Sequence, residues 1–351
     1  MDTERDISPE EMKRMLGTFY GQAIGDALGA RYEFECAEKV KNMMAEDKLK
    51  GSDARLPMLG TSRTVSITDD TEMAICLARS LATQKRFDRV DIACSYYFWK
   101  GLDSPHIGFA TKTALSIPDE DRLSENWRTN LSVDQKERIY SKIRSQVESA
   151  NKQSLSNGML MRSSPLAIAF RNVPYESLRN MAHEDCQLTH SNPIVMDATA
   201  VYVGAIASLI KGKTKEEVHT EAISRAESDL VRQILSDSKH QAIPVRLSDG
   251  STTNGDRKCI GYFGVALQSA FYELFHADSF DTALEAVIAR GGDTDTNGCI
   301  AASILGAYFG VDMIPKEWIN GVRKAPPSIG GLKMFTLADA EALTRKLAKL
   351  S

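Results

Sequence analysis

Four glycines, Gly17, Gly21, Gly25 and Gly29, recur at four-residue spacing through the first long helical pattern of the chain. At the pitch of an α-helix they line one face. Each interior glycine costs about 1 kcal/mol relative to alanine, so a bare stripe of four points to another backbone packed closely against it. The same spacing pairs helices inside membranes, but here Gln22 and Asp26 interrupt it. The helix opens at Ser8-Pro9-Glu10-Glu11, with serine at the N-cap, proline at the first turn and glutamate three residues on, a capping box.

Beyond it the apolar spacing predicts helices at about 70–84, 88–101, 107–116, 134–149, 158–171, 175–187, 194–211 and 215–237, then at 261–276, 279–290, 296–309 and 337–349. Strand-like alternation is scarce and no βαβ rhythm is present, so the expected fold is an all-α bundle of about a dozen or more helices. With 42% hydrophobic residues the 351-residue chain can bury a large core. No Pro- or Gly-rich linker divides it, which predicts one domain over 8–351. The polar stretch 117–154 reads as a solvated helical excursion, an insertion or lid, and 244–258 as a surface loop.

A net charge of −4 gives no electrostatic reason to expect a nucleic acid or an anionic membrane as partner. The longest apolar stretches, near 198–210 and 299–311, fall short of the ~18–20 residues that span a bilayer. The acidic start, MDTERDISPEE, resembles no targeting signal. Six dispersed cysteines without a CxxC pair read as reduced thiols. The expectation is a cytoplasmic monomer without a zinc site.

Five clusters stand out. ARGGDTDTNG puts Asp293 and Asp295 beside Thr294 and Thr296 at the mouth of an apolar helix, and SITDDTEM puts Thr68, Asp69, Asp70 and Thr71 at the mouth of another. Helix capping is the plain reading of each alone. Capping needs one side chain, though, and neither GDTDT nor TDDT carries a lysine or arginine for the second acid. If the two meet, the carboxylates need cations or raised pKa values, and an Asp/Thr oxygen set suits Mg²⁺ or Mn²⁺. In GDALGARYEF, Asp26 opposes the dipole at the end of its helix, while Glu33 alone reads as surface charge. SNGMLMRSS, from Ser156, offers backbone N–H groups to an anion or forms an ordinary cap turn. His190 lies in the turn QLTHSNP, structural or functional.

Taken in order, GDALGxxxE, TDDT, SNGxLMR, LTHSNP and GGDTDT resemble the signature series of the ADP-ribosylglycohydrolase family, which includes dinitrogenase reductase-activating glycohydrolases and animal ADP-ribosyl-acceptor hydrolases. The resemblance covers about 15–310. It implies an all-α fold and a centre of two Mg²⁺ or Mn²⁺ ions. By that resemblance Thr68, Asp69, Asp70, Asp293, Asp295 and Thr296 would be metal ligands, with the glycines before Asp293 letting the backbone come close. Asp26 would support them, and Glu33 matches an acid that nears the metals on a mobile loop in some members. Ser156, Asn157, Gly158, Met159 and Leu160, with His190, would hold the diphosphate and adenosine of ADP-ribose.

The implied activity is removal of ADP-ribose from an ADP-ribosylated protein, at an arginine or a serine, releasing free ADP-ribose. Asp69 or Asp70 would activate water, with Glu33 as gate or second base. Two other readings stay open. One is a catalytically silent relative that binds ADP-ribose or serves as a crystallin-like structural protein; the filled acidic positions argue against it. The other is a nucleotide or RNA-end substrate, disfavoured because no basic patch is present.

Overall fold

A computed structural model describes residues 7–50, 55–57, 65–118, 121–326, 329 and 332–350. The first six residues of the acidic start, residues 119 and 120 of the polar stretch, and the final residue of the expected domain lie outside the described residues. The described chain is all-α, as expected.

Its helices run α1 (Pro9–Gly29), α2 (Ala37–Lys48), α3 (Asp69–Gln84), α4 (Arg89–Lys100), α5 (Phe109–Leu115), α6 (Trp127–Asn130), α7 (Val133–Ala150), α8 (Ser164–Ala169) and α9 (Tyr175–Cys186). They continue with α10 (Pro193–Ile210), α11 (Lys215–Arg225), α12 (Asp229–Asp237), α13 (Phe263–His276), α14 (Phe280–Ile288), α15 (Thr294–Phe309), α16 (Lys316–Lys324) and α17 (Ala340–Ala348). Between α12 and α13 a small antiparallel ribbon, β1 (Val245–Arg246) with β2 (Thr252–Thr253), pairs Val245 with Thr253.

The glycine stripe finds its partner in α15. A Cβ at Gly17, Gly21, Gly25 or Gly29 would fall on the carbonyl oxygen of Gly306, Ala302, Gly298 or Thr294 in turn. Each step forward along α1 is a step back along α15, so the two helices are antiparallel and the last turn of α1 lies against the first turn of α15. Gly298 and Gly306 return the favour, each facing a carbonyl of α1. Helix α15 is buried from Thr294 to Ala307 and packs also on α10, α13 and α14. A helix covered all round shows no polar face, which is why its sequence is uniformly apolar beyond the acidic mouth.

The capping box at Ser8 forms as expected, with Ser8 accepting from the Glu11 N–H and Glu11 from the Ser8 N–H. Other expectations need correction. The helix expected over 215–237 is two, because the N–H groups of Glu227 and Ser228 turn aside to the carboxylate of Asp197. The helix expected over 158–171 shrinks to α8, since Asn157–Ser163 forms successive turns. Helices α2 and α16 were not expected; each is polar and anchored by few apolar side chains, Val40 and Met44 in one, Trp318 and Val322 in the other. The polar stretch is less solvated than expected, for α7 buries Ile139, Ile143 and Val147 against α4 and α5. Helix α10 has 18 residues and a mean hydropathy of 1.7, long and apolar enough for a membrane span by composition. It is 83% buried within the protein, the mark of a core helix.

Candidate active site

Three helix ends converge because the α1–α15 register brings them together. The end of α1 carries Asp26 and, one short turn later, Glu33; the start of α15 carries Asp293, Asp295 and Thr296; the start of α3 carries Thr68, Asp69 and Asp70.

Asp26 joins the first of these to the third. It is fully buried, and its two oxygens accept from the Thr68 N–H (3.0 Å), the Thr68 hydroxyl (2.8 Å), the Thr71 N–H (3.2 Å) and the Thr71 hydroxyl. Helix α3 is therefore capped from another helix, and Thr68 makes no cap bond of its own. That settles the question posed by the paired acids of TDDT, because neither is needed as the cap. The Gly108 N–H offsets part of the cost of burying Asp69. One Asp70 oxygen lies 3.0 Å from the Thr68 hydroxyl, competing with Asp26 for its single hydrogen, and the other is buried with no partner.

The second acidic pair is placed by the Gly291-Gly292 turn. Both glycines have positive φ, 72° and 79°, and a Cβ on Gly291 would strike the backbone of Glu35–Ala37. The close approach straps the Glu33 segment in place: the Phe34 N–H donates to Gly292 O (2.8 Å) and the Gly292 N–H to Glu35 O (2.9 Å). On its other side Tyr32 donates to Asp47 at 2.9 Å, and Arg31 binds the same carboxylate. Glu33 thus sits in a held turn. Its carboxylate and those of Asp293 and Asp295 lie with oxygens within 4.8 Å of one another. Asn157 donates to Asp293 at 2.7 Å.

These acids line a cavity of about 630 Å³, within the range of small-molecule sites. Its wall continues through Pro105–Thr111, Ser154, Ser156–Gly158, Met161 and Ile260-Gly261. Among the described residues no lysine or arginine lines it. Burial, then mutual repulsion, raises the carboxyls of Asp69, Asp70 and Asp295 well above the usual range. Burial likewise raises Asp26 and Asp293 against their hydrogen bonds. Burial and the charges of Asp293 and Asp26 push Glu33 to about 7. Buried acids with an unpartnered oxygen and no counter-charge form a donor set for hard divalent cations.

The chain matches the ADP-ribosylglycohydrolase family model over residues 8–350. It belongs to that family. It is 26% identical over 313 residues to the ADP-ribosyl-[dinitrogen reductase] glycohydrolase of Rhodospirillum rubrum, covering 89% of this chain and 91% of that one. It is 25% identical over 329 residues to the ADP-ribosylarginine hydrolase Tri1 of Pseudomonas putida (90% and 76% covered) and 24% over 338 residues to human ADP-ribosylhydrolase ARH3 (88% of each). A solved structure described as an ADP-ribosylglycohydrolase-related protein complex superposes with a TM-score of 0.68 at 25% identity, over 98% of this chain and 100% of that one.

Of the residues the family resemblance singled out, Glu33, Asp69, Asp70, Asp293, Asp295, Thr296, Ser156, Asn157 and Gly158 line the one cavity. Thr68 and Asp26 stand behind it. Met159 and Leu160 do not reach it; they are core residues, 0% and 1% exposed. His190 does not reach it either. It is fully buried and touches the cavity wall only through Ser156, whose Oγ is 2.6 Å from its Nε2. The loop Pro105–Gly108 was missed in the sequence because 107–116 read as helix; Pro105 and Gly108 were the available signal.

Proposed function

We propose that the chain is a metal-dependent hydrolase that removes ADP-ribose from a modified protein side chain. The observation that carries this reading is the meeting of five acids, Glu33, Asp69, Asp70, Asp293 and Asp295, on one cavity that, among the described residues, no lysine or arginine lines. The hydrolase names of the relatives support it.

Asp69, Asp70, Asp293 and Asp295, with the hydroxyls of Thr68 and Thr296, would hold two Mg²⁺ or Mn²⁺ ions. Bound there, the ions would offset the carboxylate charge and orient the hydroxyls of a ribose. Asp70, with its unpartnered oxygen, is the freer of the α3 pair; the Gly108 N–H offsets part of the cost of burying Asp69. One of these two takes the proton of the attacking water. Glu33 lies at the lip of the cavity with a carboxyl near 7, so at neutral pH it can accept a proton or return one to the departing group. A serine oxygen leaving from an oxocarbenium-like centre needs that proton; a cationic arginine group needs it less. Ser156, Asn157 and Gly158 line the same cavity and would take the diphosphate. Met159, Leu160 and His190 serve this wall from behind.

The test is release of free ADP-ribose from two matched peptides, one modified on arginine and one on serine, each with Mg²⁺ and with EDTA. Metal-dependent release from either supports the hydrolase reading and names the acceptor. No release from either, in protein shown to bind the metal, overturns it in favour of a silent ADP-ribose-binding relative.

A further inference from the structure

Behind Ser156 runs a buried line of polar groups, most of which the chemistry above does not use. It starts at Asp185 and Arg162, both 0% exposed. Arg162 donates through Nε to Asp185 Oδ2 (3.1 Å) and through Nη2 to the Asp185 carbonyl (2.8 Å). Its Nη1 donates to Thr189 Oγ1 at 2.8 Å. Thr189 Oγ1 lies 2.8 Å from His190 Nδ1, and His190 Nε2 lies 2.6 Å from Ser156 Oγ on the cavity wall.

We propose that this line has a single direction and that it fixes Ser156 as a hydrogen-bond donor into the cavity, a receptor for an anionic oxygen, with Arg162, Thr189 and His190 as its positioning residues. The proposal rests on the reading that the cavity takes ADP-ribose, whose diphosphate supplies such an oxygen.

Direction follows from which groups have a hydrogen to give. A guanidinium only donates, so Thr189 Oγ1 accepts from Arg162. The threonine has one hydrogen and two places to send it, His190 Nδ1 at 2.8 Å or the Cys186 carbonyl at 3.5 Å. That carbonyl already accepts the backbone N–H groups of Thr189 (3.0 Å) and His190 (2.8 Å), which uses both its lone pairs. The hydrogen therefore goes to Nδ1. His190 is neutral, burial and the nearby Arg162 charge pushing it down to about 3. A neutral ring that accepts at Nδ1 carries its proton at Nε2. Nε2 donates to Ser156, and the serine's own hydrogen is left for the cavity side, where only the Ser154 hydroxyl, at 3.3 Å, competes. A wall serine so arranged donates to phosphate oxygens and is no base.

The experiment has two arms. Histidine-¹⁵N spectra of the free protein at pH 7, with His190 assigned by its loss in His190→Gln, should show the Nε2–H tautomer. Calorimetric titration with ADP-ribose in Mg²⁺ should give Thr189→Ser an affinity close to the parent's. Thr189→Val should bind about tenfold more weakly, the worth of one hydrogen bond to a charged group, and its His190 should no longer show a pure Nε2–H signal. Should Thr189→Val fail to fold, Ser156→Ala takes its place: the same loss of affinity is expected with the His190 tautomer unchanged. An Nδ1–H tautomer in the parent protein overturns the proposal. So does parent-like affinity in Thr189→Val, or in Ser156→Ala where that variant replaces it. A parent protein that binds no ADP-ribose sinks the functional reading instead, and the tautomer then decides the proposal by itself.

Discussion

Two groups of buried charge lie on either side of the Ser156–Gly158 turn, and they are finished differently. On one side Arg162 and Asp185 are paired, and Tyr96 donates to the remaining Asp185 oxygen at 2.7 Å. The guanidinium lies over the Tyr96 ring, 4.8 Å from its centroid. On the other side five acids face the cavity with no lysine or arginine among the described residues, and Asp70 keeps an oxygen with no partner. Four of the five acids are buried, as Arg162 and Asp185 are, so burial alone does not tell the groups apart. Completeness does. A closed set of partners has no capacity left for a ligand and acts as a brace; an open set stores repulsion that a ligand relieves.

The comparison breaks most visibly at Arg162. Arg162→Ala leaves Asp185 buried and unpaired, which should cost about 3–5 kcal/mol in urea denaturation. Asp70→Asn should do the opposite kind of damage: kcat for ADP-ribose release falls by about 10²–10³-fold, while the melting temperature holds or rises because repulsion is removed. A loss of stability in Asp70→Asn as large as in Arg162→Ala would erase the distinction. Gly25→Ala tests what holds the open set together. Its Cβ meets the Gly298 backbone, and overpacking of this kind costs about 1–3 kcal/mol. Gly108→Ala, with nothing near its Cβ, should change stability by less than about 0.5 kcal/mol.

The gentlest probe is pH, because the acids and His190 contribute slopes of opposite sign. The acids have folded pKa values above their unfolded ones, so their share of stability is full below about 4 and is lost as pH rises through the folded values, Glu33's near 7. His190, beside the brace, is lowered from 6.5 to about 3, so its share is full above 6.5 and is lost as pH falls towards 3. In EDTA the melting temperature should fall between pH 5 and pH 8. Added Mg²⁺ should restore more of it at pH 8 than at pH 5. An equal gain at both would disconnect cation binding from the acids.

Local signals told most of the fold. The capping box at Ser8 and the apolar faces of α3, α9 and α10 announce themselves within a few residues of chain. What the sequence hid were tertiary decisions. Asp197 reaches across to break one helix into two, and no glycine or proline marks the place. Helices α2 and α16 depend on a few buried anchors, too few to set a period. At the site, the paired acids were legible because they lacked a local counter-charge. Asp26 was legible as misplaced on its helix, but its cap on α3 was not, since that partner lies 42 residues away. His190 was legible as notable and misread as a contact, because sequence carries no depth and the serine in front of it comes from 34 residues earlier.

The close pairing of α1 with α15 also sets a clock for the molecule's birth. Thr294 donates to the Gly29 carbonyl at 2.7 Å across 265 residues of chain, so the first helix made waits for almost the last before its bare face is covered. Contacts so distant in sequence form late in folding. On the ribosome, Asp26, Asp69 and Asp70 emerge long before Asp293 and Asp295 exist, and no N-terminal fragment assembles the whole acid mouth. A divalent ion that needs both halves would recognise only a chain grown past Asp295.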